Sequence, residues 1–207
     1  MTKNMEPVDQ LGQWKSTMFL YASALKSINT KIEILNNEFI QLYDRNPIEH
    51  VTSRLKSPQS IVKKLQSKGQ EVNVENMIEH ISDIAGIRII CSFMSDIYPI
   101  AEKIAKQADV TVLYVKDYIQ NPKDNGYKSY HMVVTIPVYL GDGKIDTKVE
   151  IQIRTIAMDF WATLEHKIAY KFEGHPPDYL EAELKDCADM VHMLDAKMYS
   201  LNQAISG

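Results

Sequence analysis

Nine consecutive residues, Ile84–Ser92 (IAGIRIICS), are almost all apolar. A strand of this composition is buried on both faces, which predicts a central place in a sheet covered by helices. The surrounding segments alternate between helical and extended patterns. Ser57-Pro58-Gln59-Ser60 opens a short basic helix reaching about Lys68, and Val74 to His80 reads as a second helix. Ser95 or Asp96 to Gln107 reads as a helix, and Val110–Ile119, rich in Val and Tyr, as a strand. Asn121-Pro122-Lys123-Asp124-Asn125-Gly126 is a loop by turn chemistry. Tyr130–Leu140 and Lys148–Arg154 are strands, with a turn at Gly141-Asp142-Gly143, and Ile156–Tyr170 is a helix. Alternating strands and helices plus one hairpin predict an α/β fold with a mixed sheet.

Two apolar stripes bracket this core. Trp14, Met18, Tyr21, Leu25, Ile28, Ile32, Leu35, Phe39 and Leu42 recur at spacings of four and three, which places them on one side of a helix that Asn46-Pro47 should stop. Leu180, Leu184, Cys187, Val191, Leu194, Met198 and Leu201 repeat the device after a start signal at Pro176-Pro177-Asp178. Two helices packed on one domain is one reading, and a seam between subunits is the other. With 207 residues the chain is read as a single domain. Its core covers about 46–170, its N-terminal helix about 11–45 and its C-terminal helix about 178–204.

No apolar run reaches the roughly 18 residues of a membrane span, and the first residues lack a secretory pattern. Cys91 and Cys187 cannot make a disulfide framework, so a reducing cytoplasm is expected. A net charge of −4 argues against coating duplex DNA. That average hides segregation. Residues 52–70 hold Arg54, Lys56, Lys63, Lys64 and Lys68 and no acid, while residues 178–195 hold six acids and one base. The basic segment could hold a polyphosphate or be a solvated helix face.

In Val149–Thr155 (VEIQIRT) Val149, Ile151 and Ile153 share one strand face, and Glu150, Gln152 and Arg154 share the other. A carboxylate, an amide and a guanidinium about 6.6–6.8 Å apart along a strand make a chemical surface if they line a cleft. On the side of a sheet open to solvent they would be ordinary. Asp83 precedes the apolar strand, where a carboxylate could hold a hard cation or simply cap a turn. In Lys123–His131 (KDNGYKSYH), Gly126 permits an unusual backbone angle, Tyr127 offers a π-face for a nucleobase, and Lys123 and Lys128 could meet phosphates. A basic hairpin tip with a half-buried tyrosine is the alternative. The six histidines show no metal-ligand spacing, and there is no P-loop, dinucleotide fingerprint or nucleophile elbow.

The ordered set SRLKSPQSI (53–61), DIAGIRIIC (83–91), NGYKSYH (125–131) and VEIQIRTIAMDFWATLEHK (149–167) resembles the RelA/SpoT-type synthetase domain, and the short chain is similar to stand-alone small alarmone synthetases. The resemblance implies a nucleotidyltransferase-like fold, with a mixed sheet of about five strands flanked by helices, and a GTP/GDP pyrophosphokinase. That enzyme moves the β,γ-pyrophosphoryl group of ATP to the ribose 3′-hydroxyl of GTP or GDP, giving (p)ppGpp and AMP for the stringent response. Long bifunctional relatives add a hydrolase built on a His-Asp motif; no adjacent His-Asp pair occurs here, so no alarmone hydrolysis is expected.

Residue by residue, the resemblance implies that Arg54 and Arg88 sandwich the ATP adenine and that Lys56, Ser60 and Lys64 cradle its phosphates. Asp83 matches the Mg²⁺ ligand. Glu150 matches an acidic residue that binds Mg²⁺ or activates the 3′-hydroxyl. Tyr127 matches the tyrosine that stacks on guanine, and Lys123, Lys128 and His131 match acceptor-phosphate contacts. Gln152 helps orient the acceptor, and Asp159 falls where the family reads guanine N1–H and N2–H₂. A homo-oligomer, in some relatives a tetramer regulated by alarmone or single-stranded RNA, is permitted. Two competing readings are a relative that pyrophosphorylates the 3′ end of tRNA and a non-catalytic nucleotide-sensing or RNA-binding module. Tyr127 and the acidic net charge favour free GTP or GDP.

Overall fold

The computed structural model describes residues 7–172 and 177–206. Five strands form one mixed sheet in the order β1-β2-β5-β4-β3. The apolar segment becomes β2 (Ala85–Cys91), with neighbours on both sides: β1 (Ile48–Leu55), antiparallel to it, and β5 (Gly143–Thr155), parallel to it. The sheet continues through β4 (Tyr130–Leu140) to β3 (Thr111–Asp117), both pairings antiparallel. Strand β1 is absent from the sequence reading. Its segment IEHVTSRL is mostly exposed along an edge, so it lacks the apolar pattern that marks an interior strand. Because Leu140 pairs with Gly143, the hairpin turn has only Gly141 and Asp142 between its strands, and β5 starts earlier than Lys148.

Helix α1 (Pro7–Tyr43) lies across one sheet face and buries Tyr21, Leu25, Ile28, Ile32, Leu35 and Phe39, as the stripe predicts. Leu42 departs from it and is 71% exposed. Asp44 turns left-handed (φ 49°) and the Arg45 N–H reaches back to the Phe39 carbonyl (3.2 Å), which ends the helix before Asn46-Pro47. The short helices α2 (Pro58–Ser67) and α3 (Val74–His80) place Ile61, Leu65 and Met77 in the same core. Helix α4 (Met94–Ala105) packs beside α1, where Lys103 pairs with Glu38 (3.0 Å) and stands over the rings of Phe39 and Tyr43.

Helices α5 (Ile156–Lys171) and α6 (Asp178–Ser206) build a second small core from Trp161, Ala162, Leu184 and Ala188, with Tyr127 packed against it. Of the expected start signal, Pro176 lies outside the described residues. The α6 stripe needs correcting. Its buried positions are Leu184, Ala188 and Asp195, whereas Cys187, Leu194, Met198 and Leu201 are exposed. An α-helix advances 3.6 residues per turn, so a 3.5-residue stripe drifts off the contact face unless the helix supercoils. Contact on this face also has specific requirements. Gly126 (φ 85°) comes so close to α6 that a Cβ there would lie 2.5 Å from the Ala188 Cβ. Replacing Gly126 with Ala should therefore cost roughly 2–3 kcal/mol through overlap and left-handed strain. Thermal unfolding should fall by about 5–10 °C; an unchanged midpoint would show that α6 yields to the added methyl.

Candidate active site

Strand register builds the site. Cross-strand pairing aligns Thr52, Arg88, Gln152 and His131 in one row, and Arg54, Gly86 and Glu150 in the next. Paired residues point to the same face. That face is opposite the one α1 covers, because the alternate residues Ile87, Ile89, Ile151 and Ile153 belong to the main core. A cleft of about 300 Å³ opens there, lined by Arg54, Asp83, Arg88, Glu150 and Gln152 together with Thr52, Ser53, Gly86 and Ile87. The two expected acidic residues thus share one cavity.

Asp83 comes from the loop before β2. The ammonium of Lys56, just after β1, reaches its Oδ2 at 2.7 Å, and that of Lys64 on α2 reaches its Oδ1 at 2.7 Å. Burial raises the Asp83 carboxyl, but the two lysine bonds outweigh it and hold the group below the ordinary aspartate value. The Ser57 hydroxyl caps α2 by accepting from the Ser60 N–H (3.3 Å), and the Ser57 and Ser60 hydroxyls lie 2.9 Å apart. Ser60 itself is exposed on the first turn. The basic segment therefore turns Lys56 and Lys64 toward the cleft instead of forming a merely solvated face.

Glu150 sits mid-strand on β5. Burial pushes its carboxyl up. His131, whose Nδ1 faces Oε1 across 3.6 Å, and Gln152, whose Nε2 donates to Oε2 at 3.0 Å, bring it below the ordinary glutamate value. The like charge of Asp83 is near enough to oppose this.

The acceptor-side residues are only partly brought together. Tyr127, His131 and Tyr118 form a ring cluster with centroids 5.1–5.9 Å apart. Lys123 stands over the rings of Tyr127 (4.9 Å) and Tyr118 (5.1 Å). Lys128 is not brought into this cluster. It acts electrostatically on Asp189, His192 and Asp195 of α6 instead. Asp159, in the first turn of α5, bridges two arginines through Oδ1: Arg88 Nη1 at 3.1 Å and Arg154 Nη1 at 3.1 Å. Sequence reasoning placed Arg154 on the Glu150 face without giving it a role, and missed Tyr118 altogether. Arg154 shares a strand face with Glu150 and Gln152, which was a usable signal. Nothing local marks Tyr118.

Residues 53–175 match the family described as "Region found in RelA / SpoT proteins". The chain is 48% identical over 192 residues to the GTP pyrophosphokinase YwaC of Bacillus subtilis, covering 93% of this chain and 91% of the relative. The chain belongs to the RelA/SpoT family. It superimposes on a crystal structure of the small alarmone synthetase 1 from Bacillus subtilis bound to its product pppGpp with a TM-score of 0.88 at 34% identity, covering 95% of this chain and all (100%) of the other. A second structure of that synthetase, bound to AMPCPP, gives 0.80 at 32% identity over 94% of this chain and 98% of the other. The mixed five-stranded sheet flanked by helices is that of the small alarmone synthetases.

Proposed function

We propose that this RelA/SpoT domain is a GTP pyrophosphokinase that transfers the β,γ-pyrophosphoryl group of ATP to the 3′-hydroxyl of GTP or GDP, making (p)ppGpp and AMP. The observation that carries this reading is the convergence of Asp83 and Glu150, far apart in the chain, on one cleft flanked by Arg54 and Arg88. The relatives named GTP pyrophosphokinase and the pppGpp-bound neighbour support it.

Phosphoryl-type transfer asks a protein mainly to position two nucleotides and to neutralise charge. Arg54 and Arg88 lie on adjacent strands, where planar guanidinium groups can stack on the donor base. Lys56 and Lys64, with Ser60, meet the donor phosphates, and Asp83 holds the two ammonium groups in place beforehand. Glu150 accepts the proton of the attacking hydroxyl, and its low affinity for a proton in the free protein keeps it ionised for that task. Gln152 and His131 hold the carboxylate, Tyr127 stacks on the guanine, Lys123 and Lys128 reach acceptor phosphates, and Asp159 reads the guanine edge. To do so, Lys123 must leave the Tyr127 ring face and Lys128 must turn from α6.

Among the described residues no group of three or more His, Cys, Asp or Glu side chains gathers to hold a metal. Two carboxylates on one cleft nevertheless fit magnesium, which binds through one or two carboxylates and takes its other ligands from substrate phosphates and water. Asp83 and Glu150 would hold it, and it would neutralise charge on the transferring phosphates.

Exposed Met190, Leu194, Met198, Leu201 and Ile205 form a stripe along α6 beside its buried face, which supports a homo-oligomer, read here as a tetramer open to regulation by alarmone or single-stranded RNA. Among the described residues no helix is long and apolar enough to cross a membrane, in keeping with a cytoplasmic enzyme.

Incubating the purified protein with labelled ATP, magnesium and GTP, GDP or tRNA tests the reading by mass spectrometry. A guanosine nucleotide carrying a 3′-pyrophosphate is expected. Labelled tRNA alone, or no product, would overturn it. Tyr127→Ala should weaken GTP about 5- to 150-fold, the equivalent of roughly 1–3 kcal/mol of base stacking, and leave ATP nearly unchanged. Calorimetry with each nucleotide checks this, and equal weakening of both would remove Tyr127 from the acceptor site.

A further inference from the structure

Arg154, next to the last residue of β5, is 4% exposed. Its buried charge is paired with Asp159 at 3.1 Å. Its guanidinium also donates from Nε to Ser129 Oγ (3.2 Å), and from Nη2 to Gln152 Oε1 (3.2 Å) and to the Tyr127 hydroxyl.

A guanidinium only donates hydrogen bonds, so each partner must offer it an acceptor. Gln152 must turn its carbonyl oxygen to Arg154. That leaves the amide nitrogen for Glu150, where Nε2 donates to Oε2 at 3.0 Å. Tyr127 must offer a lone pair. That leaves its single O–H for its other neighbour, His131 Nε2, at 2.8 Å. A neutral imidazole whose Nε2 accepts carries its proton on Nδ1. Nδ1 is the ring nitrogen that faces Glu150 Oε1 across 3.6 Å. At that distance it is an N–H dipole aimed at the carboxylate, longer than a hydrogen bond. Two chains therefore leave Arg154 and end, donor first, on the two oxygens of one carboxylate.

We propose that Arg154 is the positioning residue that sets the sense of the hydrogen bonds around Glu150, orienting the Gln152 amide directly and fixing His131 as its Nδ1–H tautomer through Tyr127. The proposal rests on the reading of Glu150 as the residue that acts on the attacking hydroxyl. Lysine cannot replace Arg154 fully, because one ammonium lacks the planar fork that serves Tyr127, Gln152 and Asp159 at once.

The tautomer can be read without nucleotide or metal. In protein labelled with isotopic nitrogen in histidine, at about pH 8, above the ordinary histidine range, long-range proton–nitrogen correlation identifies the protonated ring nitrogen. The His131 signal is the one lost in His131→Asn. The expected wild-type form is Nδ1–H. Arg154→Met should move it toward Nε2–H, and Arg154→Lys, still a donor, should keep it. Arg154→Lys should also lower kcat roughly 10–100-fold while KM for ATP changes little. An Nε2–H wild type overturns the proposal whatever the variants do, and so does an unmoved tautomer in Arg154→Met. Should Arg154→Met not fold, Tyr127→Phe cuts the same chain one link later, and an unmoved tautomer there has the same force. Glu150→Gln separates the two readings. Turnover retained in that variant sinks the role of Glu150 and leaves the tautomer result standing, whereas turnover lost alongside an Nε2–H wild type sinks the role of Arg154 alone.

Discussion

Glu150→Gln should retain both nucleotides and lose about 10²–10⁴-fold in turnover, the usual worth of a positioned general base. Glutamine keeps the shape of the side chain and its place on β5 between Gly86 and Val133. It removes the ability to take a proton and the negative charge, and turns one of the two acceptor oxygens into an amide donor. The wild-type carboxyl is held below the ordinary glutamate value even though burial opposes this, so the residue is an anion whenever substrate arrives. Steady-state formation of the 3′-pyrophosphorylated product, with separate binding titrations for ATP and GTP, measures the split. Turnover near that of the wild type would remove Glu150 from the proton-transfer step. Weakened binding with unchanged turnover would recast it as a binding residue.

Asp83→Asn should lower magnesium-supported turnover about a hundredfold or more, because it removes the proposed magnesium ligand and the anion that holds Lys56 and Lys64. Titrating activity with magnesium checks this. A magnesium curve that superimposes on the wild type would count against the assignment. The same variant has a stability signature. The folded-state carboxyl titrates below its unfolded value, so its contribution is complete above about pH 4 and is lost as acid carries the pH down through the folded value. The wild type should therefore lose more stability than Asp83→Asn between neutral and acid pH, as read from denaturant midpoints.

Much of this enzyme is legible one segment at a time. Strand β4 and helix α3 have the boundaries that local pattern predicts, and the α1 stripe is right from Tyr21 to Phe39. Each depends on a periodicity of the backbone itself, two residues in a strand and 3.6 in a helix, and needs no knowledge of what lies opposite. The same rule put Glu150 and Gln152 on one face. It failed where the decisive partner is distant. Strand β1 is held by its pairing to β2, thirty or more residues away along most of its length, and not by its own apolar pattern. The contact face of α6 is chosen by the close approach of Gly126 to Ala188 and by the hydrogen bond from Thr155 to Asp195 (2.7 Å), and so departs from the apolar stripe.

The motif residues divide in the same way. Their identities, and hence the family and the class of reaction, reside in four short collinear stretches of chain. Which of them meet was decided only by folding. Parallel pairing of β2 with β5 brings Arg88 beside Gln152, and the Asp83 loop opens onto the Glu150 cleft. Lys128 is left to act on charges of α6, while Arg154 becomes the hub of four side chains. Chemical type is a property of each residue, whereas register between strands is a relation among remote segments, settled by which pairing buries the isoleucines of β2 and β5 together against α1.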